Sequence, residues 1–236
     1  VEHNRPMSKK PAPAIGIQAI APLSEQDFSD VLANLNERGI SYVFEQRQPT
    51  AYASLDWLIP TGIVLFITHS YFGGILNELG KDHYQWFKTT LSSLYKKAFG
   101  DSPEFEFTVV SAGKSKAPSH FSGALSFYYV NDCGYRVKLL LPLDVTTAAY
   151  ALSCEEFMKL ITAHEKQFAI DPLGKELELQ ARAKAALTGN AVPVERIRPT
   201  ITLLVFWNRH DRCFHTADPV ASSRSGKLVS KEIGRV

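Results

Sequence analysis

Apolar residues change period several times along this chain, and each change marks an element. From Ala14 to Ala21 (AIGIQAIA) they alternate, which predicts a β-strand. Pro22-Leu23-Ser24 then turns the chain. Ser24 to Asp27 matches the S-x-x-[DE] capping box, in which each side chain satisfies a backbone N–H that a helix start leaves free. Phe28, Val31, Leu32 and Leu35 follow at helical spacing, and Gly39 is placed to stop the helix. Ile40 to Phe44 reads as the next strand. The segment is therefore a β-α-β unit, whose crossover predicts parallel strands.

The run from Trp57 to Leu76 (WLIPTGIVLFITHSYFGGIL) carries no Asp, Glu, Lys or Arg, and His69 is its one imidazole. Pro60 and Gly62 divide it. Before them, residues 53 to 59 suit a short helical turn. After them, Gly62 to Thr68 suits a buried strand, although a short apolar run could equally open a helix. From Ser70 the helical period is clearer, with Tyr71, Phe72, Ile75, Leu76 and Leu79 on one face. A second helix is expected over Lys81 to Ala98, with Tyr84, Phe87, Leu91, Leu94 and Ala98 on its apolar face. A membrane-spanning helix needs about 20 apolar residues. The run has that length, but its proline and glycines break it. The expectation is a central apolar helical hairpin covered by protein, with membrane association as the alternative.

Beyond Gly100 the period becomes that of strands. Glu104 to Val110 alternates, and Phe121 to Val130 and Tyr135 to Leu141 flank the turn-prone Asn131-Asp132-Cys133-Gly134, as in a β-hairpin. Ser153 to Glu156 reads as a second capping box, before a helix that buries Phe157, Leu160, Ile161 and His164. Asp171-Pro172 opens another helix, to Leu187. Thr200 to Trp207 and Arg212 to Thr216 form the last strand pair. The expected fold class is α+β: an N-terminal β-α-β unit, a central apolar helical hairpin, and a largely antiparallel C-terminal sheet with two packed helices. One domain is expected over 14–218, with sub-lobes at 14–100 and 101–218. A flexible arm (1–13) precedes it and a flexible basic tail (219–236) follows.

Composition narrows the class. With 236 residues, 45% apolar and 21% charged, the chain can bury a real core, and wholesale disorder is excluded. A formal net charge of +2 makes nucleic acid an unlikely partner on charge grounds. Three cysteines without a C-x-x-C fit a reducing, cytoplasmic compartment better than a disulfide framework. The first residues (VEHNRPMSKKPAPA) lack the apolar run of a secretory signal, and Met7 reads as an internal start.

Two clusters could carry chemistry. Asp211, Cys213 and His215 alternate, so within one strand they would share a face, and each can offer a lone pair to a divalent metal. Same-face side chains on a strand stand about 7 Å apart, however, too far for one ion. Glu78, Asp82 and His83 gather at a helical joint, where a histidine beside carboxylates could act as general acid or base. No nucleophile elbow, Walker loop or G-x-G-x-x-G occurs. The chain thus reads as a non-catalytic interaction module. It would bind a protein partner, a second copy or a membrane surface through Trp57, Ile63, Leu65, Ile67, His69 and Tyr71, and would be cytoplasmic or peripheral to a membrane. The alternative is a small metal-dependent hydrolase or nuclease using His/acid clusters at 78–83 or 210–215. No cofactor is predicted beyond that divalent metal.

Overall fold

The computed structural model describes residues 13–48, 62–72, 80–100, 120–143, 145–167, 170–189 and 191–234; for residues 80–86, 219, 223 and 234 it describes the backbone alone. The fold is α+β. Eight strands form one mixed sheet: β1 (Ile15–Ile20), β2 (Tyr42–Arg47), β3 (Ile63–Thr68), β4 (Leu125–Val130), β5 (Arg136–Leu139), β6 (Thr202–Asn208), β7 (Cys213–Ala217) and β8 (Ser230–Gly234). Their order across the sheet is β2-β1-β3-β4-β5-β6-β7-β8. The pairs β1–β2, β3–β4 and β5–β6 are parallel, and the other four are antiparallel.

Each parallel pair encloses helix, because parallel neighbours need a crossover. Helix α1 (Ser29–Glu37) joins β1 to β2, and α2 (Gly80–Phe99) lies between β3 and β4 in sequence. Helices α3 (Thr147–Gln167), α4 (Pro172–Leu187) and the short α5 (Val194–Ile197) lie between β5 and β6. The expected capping box is present: Ser24 N–H donates to Asp27 Oδ2 at 2.7 Å, and a 3₁₀ turn (Glu25–Phe28) leads into α1. Ser153 plays a different part from the one its sequence context suggests. Helix α3 starts six residues earlier, at Thr147, and Ser153 Oγ donates to the Ala149 carbonyl at 2.8 Å from inside it.

One sheet face carries Ile15, Ile17 and Ala19 of β1, Ile63, Leu65 and Ile67 of β3, and Leu125, Phe127 and Tyr129 of β4. It continues through Val137 and Leu139 of β5, Leu203 and Val205 of β6, and Phe214 of β7. These residues form one core with the buried faces of the helices. Two tyrosines fasten the helical layer: Tyr95 Oη donates to the Val145 carbonyl (3.0 Å) and Tyr150 Oη to the Leu91 carbonyl of α2 (2.9 Å). On the other face a smaller cluster joins Phe121, Leu140, Leu204 and Phe206.

Residues 63–68 are therefore a strand. Residues 69–72 are helical and 80–99 are helix α2, so the part of the expected hairpin that joins them, 73–79, lies outside the described residues. The strand expected at Glu104–Val110 also lies outside them. The segment expected to be a flexible basic tail is built into the fold instead. Asp218 caps helix α6 (Pro219–Ser225) by accepting from Ala221 N–H at 2.9 Å, and Gly226 ends it in the left-handed conformation (φ +67°). β8 then pairs with β7, and Lys231 reaches Glu176 on α4 at 2.8 Å. Local cap chemistry and sheet pairing outweigh a polar composition there. No described helix is long and apolar enough to cross a membrane.

The hairpin between β4 and β5 carries a tight constraint. Gly134 has φ +86°, and an added Cβ would meet Pro199 Cγ at 2.9 Å. Gly134→Ala is expected to cost about 1–3 kcal/mol, from left-handed strain plus overpacking. A lower urea midpoint at unchanged m-value would check this.

Candidate functional site

β3 ends at Thr68, whose Oγ1 donates to the Pro13 carbonyl at 2.9 Å and so fixes the exit of the strand. The next residue, His69, has a side chain 49% exposed, and its Nδ1 lies 2.6 Å from Glu165 Oε2. Glu165 comes from the last turn of α3 and is itself only 7% exposed. Its other oxygen, Oε1, accepts from the hydroxyl of Tyr129 on β4, one residue short of the strand end. Because β3 and β4 are parallel and Ile67 pairs with Tyr129, both strands deliver their side chains to the same end of the sheet. A shielded carboxylate thus holds two donors from neighbouring strand ends. Burial pushes the Tyr129 phenol pKa upward, and the Glu165 carboxylate pushes it further, so the hydroxyl stays a donor.

A second imidazole–carboxylate pair stands next to the first. His164 is fully buried, its ring edge-on to Tyr129 at 6.0 Å, and its Nδ1 lies 2.9 Å from Asp171 Oδ2. Asp171 is the N-cap of α4, and its Oδ1 accepts from Leu173 N–H (2.9 Å) and Gly174 N–H (3.2 Å). Burial works against its charged form, but hydrogen bonds from His164 and the two amides outweigh burial and hold the carboxyl below its ordinary pKa. This pair is the rigid back of the site. It anchors the α3–α4 corner from which Glu165 projects.

The Nδ1 contact gives the first pair its chemical character. A carboxylate accepting from Nδ1–H leaves Nε2 of the same ring with a lone pair, available to a proton or an electrophile. The open end of parallel strands is also where mixed α/β sheets place ligands.

The residues expected from sequence fare differently. Ile63, Leu65 and Ile67 are 0%, 2% and 1% exposed, and Tyr71 is 3% exposed, so all four belong to the core and present no surface to a partner. Strand β3 is central, with neighbours on both edges, and its inward side chains have nowhere else to go. Of that group His69 reaches the surface, while Trp57 lies outside the described residues. Glu78 also lies outside them, and Asp82 and His83 fall in the first turn of α2, where the backbone alone is described. Asp211, Cys213 and His215 do converge: their ligand atoms all lie within 4.8 Å of one another. Fanning along a strand does not apply, because β7 begins only at Cys213 and Asp211 belongs to the turn. Arg212 is left-handed (φ +52°), and this bend folds Asp211 back to within 3.0 Å of His215 Nε2.

Glu165 and Tyr129 carried no sequence signal of function. His164 and Asp171 carried a faint one, a histidine on an apolar helix face and an Asp-Pro cap seven residues later. Compared with known protein families, characterised proteins and solved structures, the chain matches none.

Proposed function

We propose that the protein is a small hydrolase-type enzyme in which His69 acts as general base. Glu165 orients the ring and stabilises the imidazolium that forms, and Tyr129 keeps Glu165 in place. The observation that carries the reading is the 2.6 Å contact between a half-exposed histidine Nδ1 and a carboxylate only 7% exposed. In the step this supports, Nε2 takes a proton from water as the water oxygen attacks an activated acyl carbon. The leaving alkoxide then receives that proton from the imidazolium, which returns the site to its starting state. The docking alternative loses its apolar anchor, since Ile63, Leu65 and Ile67 are core residues.

The test is hydrolysis of nitrophenyl esters and phosphate esters by the purified chain. His69→Ala is expected to lower kcat/KM by about 10²- to 10⁴-fold on the substrate class that turns over. Glu165→Gln keeps the size of the side chain but removes its charge, and should lower kcat with little change in KM. Imidazole ¹⁵N spectra should place the neutral-form proton of His69 on Nδ1, and a proton on Nε2 would remove the base. Activity that is indifferent to both substitutions would end the proposal.

A further inference from the structure

The β6–β7 hairpin lies at the other end of the strands from His69, because β6 runs antiparallel to β3 across the sheet. Its chemistry is therefore independent of the acid–base site. We propose that this hairpin binds one zinc-class divalent ion through Asp211, Cys213 and His215, with a water in the fourth position.

The donor set fits such an ion. It supplies one carboxylate oxygen, one sulfur and one imidazole nitrogen, the three ligand types that zinc takes. A thiolate and a carboxylate together carry two negative charges, which one divalent cation neutralises. Tetrahedral bonds of ordinary zinc length put ligand atoms about 3.4–3.8 Å apart. His215 Nε2 and Asp211 Oδ2 are already closer than that, at 3.0 Å, and no pair in the group exceeds 4.8 Å. Closure needs a shift of about 1–1.5 Å at most. Asp211, half-exposed in the turn, is the residue free to make it.

The surroundings hold the ligands as a metal site requires. His215 Nδ1 lies 3.4 Å from Ser230 Oγ on β8, while Nε2 faces the cluster, 3.0 Å from Asp211 Oδ2 and 3.5 Å from Asn208 Nδ2, and the ion would take the place of those contacts. The His215 ring packs on Phe206 at 5.6 Å, and only 12% of its side chain is exposed. Asn208 orients the carboxylate: its Oδ1 accepts from the amides of His210 (3.0 Å) and Asp211 (3.4 Å), and its Nδ2 donates to Asp211 Oδ2 at 2.7 Å. Cys213 is 1% exposed and is not in a disulfide, so its sulfur is shielded from oxidants yet adjacent to the other two ligands. Binding converts the thiol to a thiolate and releases its proton to solvent, so affinity falls as pH falls. The ion replaces the direct hydrogen bond between His215 and Asp211 and ties the turn to β7.

The test uses the full chain, stripped with chelator and then titrated with Zn²⁺ and Co²⁺. One equivalent of zinc should survive gel filtration, and Co²⁺ should give the near-ultraviolet charge-transfer band of a thiolate ligand. Cys213→Ser should abolish that band. Because Cys213 is buried and this variant could fail to fold, Asp211→Asn and His215→Gln serve as second variants, each lowering zinc affinity at least tenfold while the apoprotein melts as wild type does. Asn208→Ala, which acts through Asp211, should weaken binding by about 10- to 100-fold. A stripped wild-type chain that retains no zinc, or a cobalt complex without the thiolate band, overturns the proposal. So does unchanged affinity in both Asp211→Asn and His215→Gln.

Discussion

Leu65→Ala will lower the unfolding free energy by about 2–5 kcal/mol, the range for deleting a fully buried leucine side chain and leaving part of a cavity behind. Leu65 is 2% exposed and stands at the centre of the sheet, paired with Ile17 of β1 on one side and Phe127 of β4 on the other. All three point into the helical layer, so the neighbours are held from both edges and cannot collapse into the space. Val43, on the edge strand β2 and 50% exposed, is the control, and Val43→Ala should move stability by no more than about 0.5 kcal/mol. Urea denaturation at equal m-values measures both. The same pair of variants separates a core strand from a docking surface. If Leu65→Ala kept full stability but lost affinity for lipid vesicles or for a second copy, β3 would be a binding element after all.

Asp171→Ala comes next, at about 2–4 kcal/mol. Loss of the N-cap of α4 costs roughly 0.5–2 kcal/mol. The buried His164 then loses its acceptor, which adds about 1–3 kcal/mol. The effect depends on pH in a defined direction. The folded-state pKa of Asp171 is depressed below the ordinary carboxyl value, so the unfolded chain binds its proton first as pH falls. Its contribution is therefore complete above about pH 4 and is lost as pH drops through the folded value. The stability gap between wild type and Asp171→Ala should be full at pH 7 and shrink below about pH 4. A gap that stayed constant down to pH 2 would show that the carboxylate is not what His164 and α4 depend on. Because the same corner positions Glu165, the variant should also lower the esterase rate, with Tyr129→Phe giving a smaller loss.

Much of the architecture follows from local rules. Alternation located β1, apolar runs on either side of turn-prone residues located β4, β5, β6 and β7, and caps at Ser24 and Asp171 located the starts of two helical segments, because these signals depend on residues within a few positions of each other. The turn Asn131-Asp132-Cys133-Gly134 announced its hairpin for the same reason. Composition misled where local geometry took over. The polar segment after Pro219 folds because Asp218 caps a helix and β7 offers an unpaired edge to β8, an edge supplied by residues from elsewhere in the chain. Alternation along Asp211, Cys213 and His215 also misled, because one left-handed residue, Arg212, takes Asp211 out of the strand.

The sequence by itself determined that Trp57–Leu76 is apolar and needs cover, that a helix separates the first two strands and sets them parallel, and that one histidine interrupts the apolar run. These are properties of neighbouring residues. Strand order beyond the β1–β2 pair was decided only in the tertiary structure, since β1 also pairs with β3, and β5 pairs with the distant β6. So was the meeting of His69 with Glu165, 96 positions apart in the chain. A carboxylate has no reason in its own neighbourhood to find that imidazole. Two parallel strand ends and the last turn of a helix must first be packed on one core, and the contact that defines the proposed site exists only after that packing is complete.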